Sequence, residues 1–255
     1  MGKGISVKSE NELKAMILGG EKLGRVKLAL KNKVREGVSA WDLEVLANEL
    51  IAKEGGEPSF KHVPGYSWAT CVNVNEGIVH GIPKKEIIFR KGDLVSVDLG
   101  MIFQGFHTDT SFSLGLSVDP ETEHFLEVGR HALSQAIKKV KPGNRIYDIS
   151  EQIEKVIKGA GYTPVTDLVG HGVGKELHEA PQIPCFTKGS REESPEIPEG
   201  ATLAIEVMYV KGKKDLVIGQ DGWTIKTMDD KISALFEETV AALRTGPLIL
   251  TEGSK

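Results

Sequence analysis

The chain has 255 residues, of which 40% are hydrophobic and 27% are charged. These values are typical of a soluble globular protein that buries a sizeable core. A formal net charge of −4 and a pI near 6.0 give no electrostatic evidence for a nucleic-acid or anionic-membrane partner.

The cysteine count and the hydropathy pattern bear on the compartment. Two cysteines, Cys71 and Cys185, are too few for a disulfide framework or a zinc knuckle, which favours a reducing environment. The sequence shows neither an apolar amino-terminal signal segment nor an apolar run of roughly 18 residues. We therefore expect a cytoplasmic protein without a membrane partner.

Two helices are predicted in the first part of the chain. Capping boxes open them at Ser9 to Glu12 and at Ser39 to Asp42. The first helix is expected to run to about Val34, and the second to end near Gly55 and Gly56.

A β-hairpin is predicted next, with strands over 94–100 and 106–112 and a turn over 103–105. A two-residue turn at Phe103 and Gln104 places Asp98 directly opposite Asp109, with Cβ atoms roughly 5 Å apart. Facing carboxylates in an apolar sheet repel, so either one stays protonated or a cation lies between them. For either aspartate alone, an exposed charge at a hairpin edge remains the alternative.

The second half repeats the plan of the first. Helices are predicted over 119–140 and 147–159, and Gly92 and Gly200 each stand six residues before an acidic residue, Asp98 and Glu206, with an apolar strand between them. This spacing indicates an internal duplication with a pseudo-two-fold axis, although common glycine-turn-strand patterns could produce it by chance.

Three further residues could join the aspartates as metal ligands. His171 lies in a predicted glycine-rich loop that also holds His178, and Glu206 is the one charge in an apolar stretch over 201–210, where a carboxylate is usually paired or ligated. Glu237 is ambiguous, because its apolar neighbours also fit helical spacing that would expose it.

Several spaced motifs resemble the type I methionine aminopeptidases over nearly the whole chain. They are the segment 75–83, the hairpin with both aspartates, the segment 171–181 and Gly222 to Thr224. The resemblance implies an α+β pita-bread fold, with pseudo-two-fold duplicated halves, a central curved antiparallel sheet and outer helices. It also implies one catalytic domain over 1–255, with halves of about 1–115 and 116–255, and removal of initiator methionine from nascent proteins whose second residue is small.

The family's functional residues map onto positions of this chain. The resemblance implies that Asp98 chelates one metal ion, that Asp109 and Glu237 bridge two ions, and that His171 and Glu206 complete the second ion's ligands. It makes Glu206 the proton shuttle as well. His80 would contact the scissile amide and His178 the developing oxyanion.

The ligand types also bear on the metal. An oxygen-rich site with one imidazole suits two divalent ions of Co, Mn or Fe better than tetrahedral Zn, which stays possible.

An apolar pocket for the methionine side chain is expected from motif position, at Tyr66, Cys71, Leu177 and Trp223; ordinary core packing is the alternative for these four. The chain departs from the family at three positions. Val207 replaces a usual proline, Leu177 a usual aromatic residue, and Glu238 a usual histidine. Glu238 is expected to add negative charge beside the metals.

Two other functions remain open. A proline-specific aminopeptidase of the same fold would normally carry a further amino-terminal domain, and a non-catalytic peptide-binding module would have no need of facing carboxylates. The expected partners are N-terminal methionyl peptides and nascent chains, with transient proximity to the ribosome. The chain is expected to be a monomer without a specific nucleic-acid partner.

Overall fold

The computed structural model describes residues 4–253; the other terminal residues of the predicted 1–255 domain lie outside this range. The helices are α1 (Glu10–Lys33), α2 (Ala40–Lys53), α3 (Pro120–Ile137) and α4 (Ile146–Gly159), with a short 3₁₀ helix at Ser59–His62. The strands are β1 (Glu57–Pro58), β2 (Thr70–Val74), β3 (Gly77–Val79), β4 (Leu94–Phe103), β5 (Phe106–Gly115), β6 (Thr163–Pro164), β7 (Val169–Gly172), β8 (Glu179–Pro184), β9 (Thr202–Val210), β10 (Leu216–Ile218), β11 (Ile225–Thr227), β12 (Ser233–Leu243) and β13 (Gly246–Ile249).

The four predicted helices are confirmed, and their first residues explain where they start. The Ser9 side chain accepts a hydrogen bond from the Glu12 amide while the Glu12 carboxylate accepts one from the Ser9 amide, and Ser39 with Asp42 repeats this exchange. Asp119 caps α3, and the proline at its first position needs no hydrogen-bond partner for a backbone N–H. The third helix ends at Ile137 rather than at Val140.

A large antiparallel sheet forms the centre of the molecule. Its strand order is β1-β4-β5-β12-β9-β7-β8, with β2 beside β4, β6 beside β9 and β13 beside β12. Helix α1 packs on β4 and β5, and α3 packs on β9 and β12. A small sheet, β10-β11-β3, lies apart from this order.

The hairpin register differs from the sequence prediction. Phe103 pairs with Phe106, so the two turn residues are Gln104 and Gly105, and Asp98 lies opposite Ser111 rather than opposite Asp109. Both turn residues have positive φ, of 50° and 79°, as a tight hairpin turn requires. Because Asp109 and Ser111 are two residues apart on β5, Asp109 still faces the same side of the sheet as Asp98.

The duplication appears in the sheet register. The order α1-α2-β4-β5 is repeated by α3-α4-β9-β12, and the halves meet where Ser111 of β5 pairs with Glu237 of β12. Asp98 lies opposite Ser111, and Glu206 lies opposite Glu237. A two-fold axis through this meeting point therefore makes Asp98 equivalent to Glu206.

Within residues 4–253, no helix combines the length and the apolar character that a membrane span needs.

Candidate metal centre

Five different strands carry the five candidate ligands. Asp98 lies on β4, Asp109 on β5, His171 on β7, Glu206 on β9 and Glu237 on β12, and all five line one cavity of about 150 Å³. The loop predicted for His171 is wrong, because its backbone pairs with both β8 and β9. Glu237 lies in a strand, and not in the helix whose spacing its apolar neighbours also fit.

The ligand atoms are close enough to share a cation. Atoms of Asp109, His171 and Glu237 lie within 4.8 Å of one another. The Nε2 atom of His171 is 3.8 Å from Oδ2 of Asp109 and 3.5 Å from Oε1 of Glu206. These separations exceed a metal-ligand bond length but are typical of two atoms that bind the same ion.

Orphaned polar atoms test whether these residues fit a metal. Oδ1 of Asp98 and Oε1 of Glu237 are buried and have no hydrogen-bond partner in the described part of the chain. Buried carboxylate oxygens are almost always hydrogen-bonded, paired with a cation or bound to a metal. The donor set of carboxylates and one imidazole suits divalent ions, so these residues fit a metal site.

Burial of so many acids raises their pKa values. Desolvation raises the pKa of Asp109 to about 7. Desolvation, with the charges of neighbouring acids, holds the pKa values of Asp98, Glu206 and Glu237 well above their ordinary range. The carboxylates therefore disfavour one another's ionisation, and divalent cations would relieve this repulsion.

His171 is prepared to act as a neutral ligand. Desolvation lowers its pKa to about 4, so the ring is uncharged near neutral pH. Nδ1 lies 2.9 Å from the carbonyl oxygen of Gly172, which can only accept a hydrogen bond. The proton is therefore on Nδ1, and the lone pair of Nε2 faces Asp109 and Glu206.

Two more histidines lie at the exposed mouth of the same cavity. The rings of His178 and His171 are 4.5 Å apart between centroids, and the ring of His80 packs edge-on to Trp223 at 6.4 Å. Partial desolvation lowers the pKa values of both His80 and His178, which favours their neutral forms. His80 has a φ of 58°, in the left-handed region that non-glycine residues rarely adopt, and such strained residues cluster at functional sites.

The predicted apolar pocket adjoins the ligands. Tyr66, Cys71, Leu177 and Trp223 line the cavity, and the Tyr66 and Trp223 rings meet edge-on at 5.1 Å. Cys71 pairs with Asp98 across β2 and β4, so the pocket wall and a candidate ligand share one strand pair. The pocket has three further lining residues that the sequence analysis missed: Phe60, Val63 and Val79. Only their position beside the motif residues could have indicated them.

The Glu238 charge does act on a candidate ligand, as expected, because it raises the pKa of Glu237, although less than desolvation and the other acids do. Neighbouring residues of a strand point to opposite faces, and Glu238 lies on the face away from the cavity. There its carboxylate is 2.5 Å from Nζ of Lys27 and accepts a hydrogen bond from Thr251.

Comparisons with known proteins agree with this geometry. The model of metallopeptidase family M24 matches residues 14–242. Methionine aminopeptidase of Clostridium perfringens is 38% identical over 248 residues, covering 97% of this chain and 98% of the relative. That of Borreliella burgdorferi is 39% identical over 255 residues, covering 97% and 98%.

Solved structures share the fold. Methionine aminopeptidase from Thermotoga maritima superposes with a TM-score of 0.94 at 38% identity, covering 97% of this chain and 99% of that one. The prolidase from Pyrococcus horikoshii has a TM-score of 0.76 at 21% identity, and 64% of its chain is covered, which indicates a common fold alone. The predicted pita-bread fold is confirmed.

Proposed function

The chain belongs to metallopeptidase family M24 and, within it, to the methionine aminopeptidases, and from this membership we propose how its own residues carry out the reaction. It is a hydrolase that removes methionine from the amino terminus of peptides, and it uses divalent metal. The single observation that carries the proposal is the convergence of all five candidate ligands and all six other predicted site residues on one cavity.

We propose that the site holds two divalent ions. Asp98 would hold one ion, Asp109 and Glu237 would bridge the pair, and His171 and Glu206 would complete the second. Two adjacent ions supply an activated water and a polarised carbonyl. Co, Mn or Fe fit the oxygen-rich donor set better than Zn.

The protein's side chains have separate tasks. Glu206, which lines the cavity beside His171, moves the proton from the attacking water to the leaving amine. His80 contacts the scissile amide, and a ring N–H of His178 donates to the carbonyl oxygen as negative charge develops there. Tyr66, Cys71, Leu177 and Trp223 hold the methionine side chain and exclude water.

The cellular setting is also a proposal. We infer a cytoplasmic monomer that acts on nascent chains, with transient proximity to the ribosome, because initiator methionine first becomes accessible there. The two cysteines are buried and unpaired, as a reducing compartment allows. Residues 1–255 would act as one catalytic domain, with halves of about 1–115 and 116–255.

A metal-dependent peptide assay tests the proposal. The protein is stripped with a chelator, titrated with Mn²⁺ in a calorimeter, and assayed on a Met-Gly peptide and on a Gly-Pro peptide. We expect two binding events and release of methionine only. Full activity with a single ion would refute the two-ion site, and cleavage of the Gly-Pro peptide in preference would favour the proline-specific alternative.

A further inference from the structure

The seam between the two halves is where β5 meets β12, and the strands pair directly there only at Ser111 with Glu237. On either side of this pair, a buried hydroxyl stands between the strands. Oγ1 of Thr239 accepts from the Asp109 amide at 2.9 Å and donates to the Asp109 carbonyl at 2.8 Å. Oγ of Ser113 accepts from the Leu235 amide at 3.0 Å and donates to the Leu235 carbonyl at 2.8 Å.

The two hydroxyls obey the pseudo-two-fold axis. An axis through the Ser111–Glu237 pair makes Ser113 equivalent to Thr239 and Leu235 equivalent to Asp109, because each member of a pair lies two residues from the axis on its own strand. Both hydroxyl residues are buried, with exposed fractions of 3% and 0%. The same arrangement thus occurs twice, with serine in one half and threonine in the other.

At these two positions a side-chain hydroxyl, and not the backbone, bonds to the opposite strand. The Thr239 backbone does not bond to β5, because its amide donates to Thr251 and its carbonyl accepts from the Leu250 amide. Oγ of Ser113 lies 2.6 Å from Oγ of Ser96, which supplies the remaining hydrogen. Ser113 Oγ therefore has its hydrogen-bonding capacity filled, and each hydroxyl is oriented by the bond it donates to, and the bond it accepts from, one residue of the opposite strand.

These contacts bear directly on the two bridging candidates. Asp109 has a short side chain, so the position of its backbone largely fixes the position of its carboxylate. Thr239 holds that backbone by both polar groups, and Glu237 lies midway between Leu235 and Thr239 on β12. We propose that the Thr239 and Ser113 hydroxyls are positioning residues, which set the separation of Asp109 and Glu237 and thereby the affinity for the second of two divalent ions.

This inference rests on the proposed two-ion site. Thr239→Val keeps the shape of the side chain but removes the hydroxyl, leaving both backbone groups of Asp109 without a partner. Calorimetric titration of the stripped variant with Mn²⁺ should show the first ion bound as in the wild type and the second bound about tenfold or more weakly, the range typical when groups that orient metal ligands are lost. Turnover should fall with little change in KM.

Two variants separate a positioning role from a general packing role. Thr239→Ser restores the hydroxyl while losing a methyl group, so it should recover second-ion affinity. Thr227→Val is the matched control, because Thr227 is equally buried and its hydroxyl donates to the Lys231 carbonyl at 2.8 Å, outside the cavity lining. It should bind both ions as the wild type does.

The outcomes distinguish a failure of this inference from a failure of the two-ion proposal on which it rests. If the wild type takes up a single ion, the two-ion proposal fails first, and the seam proposal falls with it. If the wild type takes up two ions and Thr239→Val does the same with unchanged affinities, the seam proposal alone is wrong. Should Thr239→Val fail to fold by circular dichroism, Ser113→Ala makes the symmetric test, and unchanged second-ion affinity there refutes the proposal.

Discussion

The proposed role of His178, donation to the developing oxyanion, can be tested apart from metal binding, because its ring lies at the exposed mouth of the cavity. We expect His178→Ala to lower turnover about 10²-fold to 10³-fold, the cost of losing one donor to a developing oxyanion. Metal content, measured by elemental analysis, should stay unchanged. His124→Ala is the control, since that histidine is exposed on α3. Parallel loss of metal and activity in His178→Ala would make His178 a ligand or a folding residue instead.

We expect Leu177 to determine how closely the pocket fits the methionine side chain. It is buried beside Phe60, Tyr66 and Cys71. The pocket offers the sulfur no strong partner, so methionine and norleucine should be cleaved about equally, with a minor rate for Leu- or Phe-initiated peptides.

Leu177→Phe should reduce that minor rate, because the larger ring narrows the pocket. Space for one methylene group changes the discrimination between first residues by roughly 1–3 kcal/mol. The measurement is kcat/KM for Met-, Leu- and Phe-initiated peptides of otherwise equal sequence. An unchanged ratio between them would show that Leu177 does not limit the size of the pocket.

Sequence reasoning reached candidate metal ligands through their chemistry, whereas the roles of His80 and His178 and the four pocket residues came from the family resemblance. An acidic residue inside an apolar strand is conspicuous, and Asp98 and Glu206 were found in that way. Phe60, Val63 and Val79 carry no such signal, because an apolar side chain lining a pocket looks the same in sequence as one in the core. Strand alternation places Glu238 on the opposite face of the sheet from Glu237, but that argument needs Glu237 to be in a strand, which the sequence left open.

At the scale of elements, the loop between β7 and β8 carries Leu177 and His178, and the segment before α1 holds it in place. Nζ of Lys8 is 2.6 Å from the Glu179 carboxylate, with side-chain exposures of 3% and 14%. Burial alone would raise the pKa of Glu179, but the hydrogen bond and charge of Lys8 outweigh it and lower the pKa. Glu179 is therefore ionised near neutral pH.

Lys8→Met should release this loop. Breaking a largely buried ion pair costs roughly 3 kcal/mol in the free energy of unfolding, because the remaining charge loses its partner. We expect that loss in urea unfolding, together with a lower kcat as His178 loses its fixed position. Lys175→Met is the matched control, since its pair with Glu12 is exposed to solvent and contributes little to stability. Equal effects of the two substitutions would contradict the special role of Lys8.

The hairpin shows what local sequence can and cannot fix. Both strands and the turn region were predicted. The turn was placed one residue too early, so Asp98 was paired with Asp109 and not with Ser111, two residues further along β5. The Gln104–Gly105 pair tolerates positive φ better than Phe103–Gln104, and turn chemistry applied strictly would have given the observed register. The placement of His171 on a strand depends on pairing with distant β9, which no local pattern encodes.

For the whole molecule, the buried acids make stability depend on metal and pH together. In the metal-free protein, Asp98, Glu206 and Glu237 have pKa values well above those of an unfolded chain. Groups with raised pKa values stabilise the fold while protonated, and this contribution is lost as pH rises. His171, with its lowered pKa, has the opposite effect, but above about pH 6.5 histidine is largely neutral in both states.

The metal-free protein should therefore lose thermal stability as pH rises above about 6.5, by roughly 1.4 kcal/mol per pH unit for each of these acids that is still protonated in the folded state. The metal-loaded protein should unfold at a higher temperature and show a flatter profile, because bound ions stabilise the ionised acids. Differential scanning fluorimetry with and without chelator measures both. Identical profiles for the two forms would show that these acids bind no metal.

The axis between the halves also bears on how such a chain could arise. Asp98 and Glu206 are equivalent across it, as are Ser113 and Thr239, but the equivalent of Glu237 is Ser111 and that of Asp109 is Leu235. Two identical subunits cannot carry different residues at equivalent positions. A homodimer of identical half-length chains would therefore carry the same residue at each pair of equivalent positions, unlike Glu237 with Ser111 or Asp109 with Leu235. Duplication and divergence of the two halves therefore had to precede the asymmetric centre.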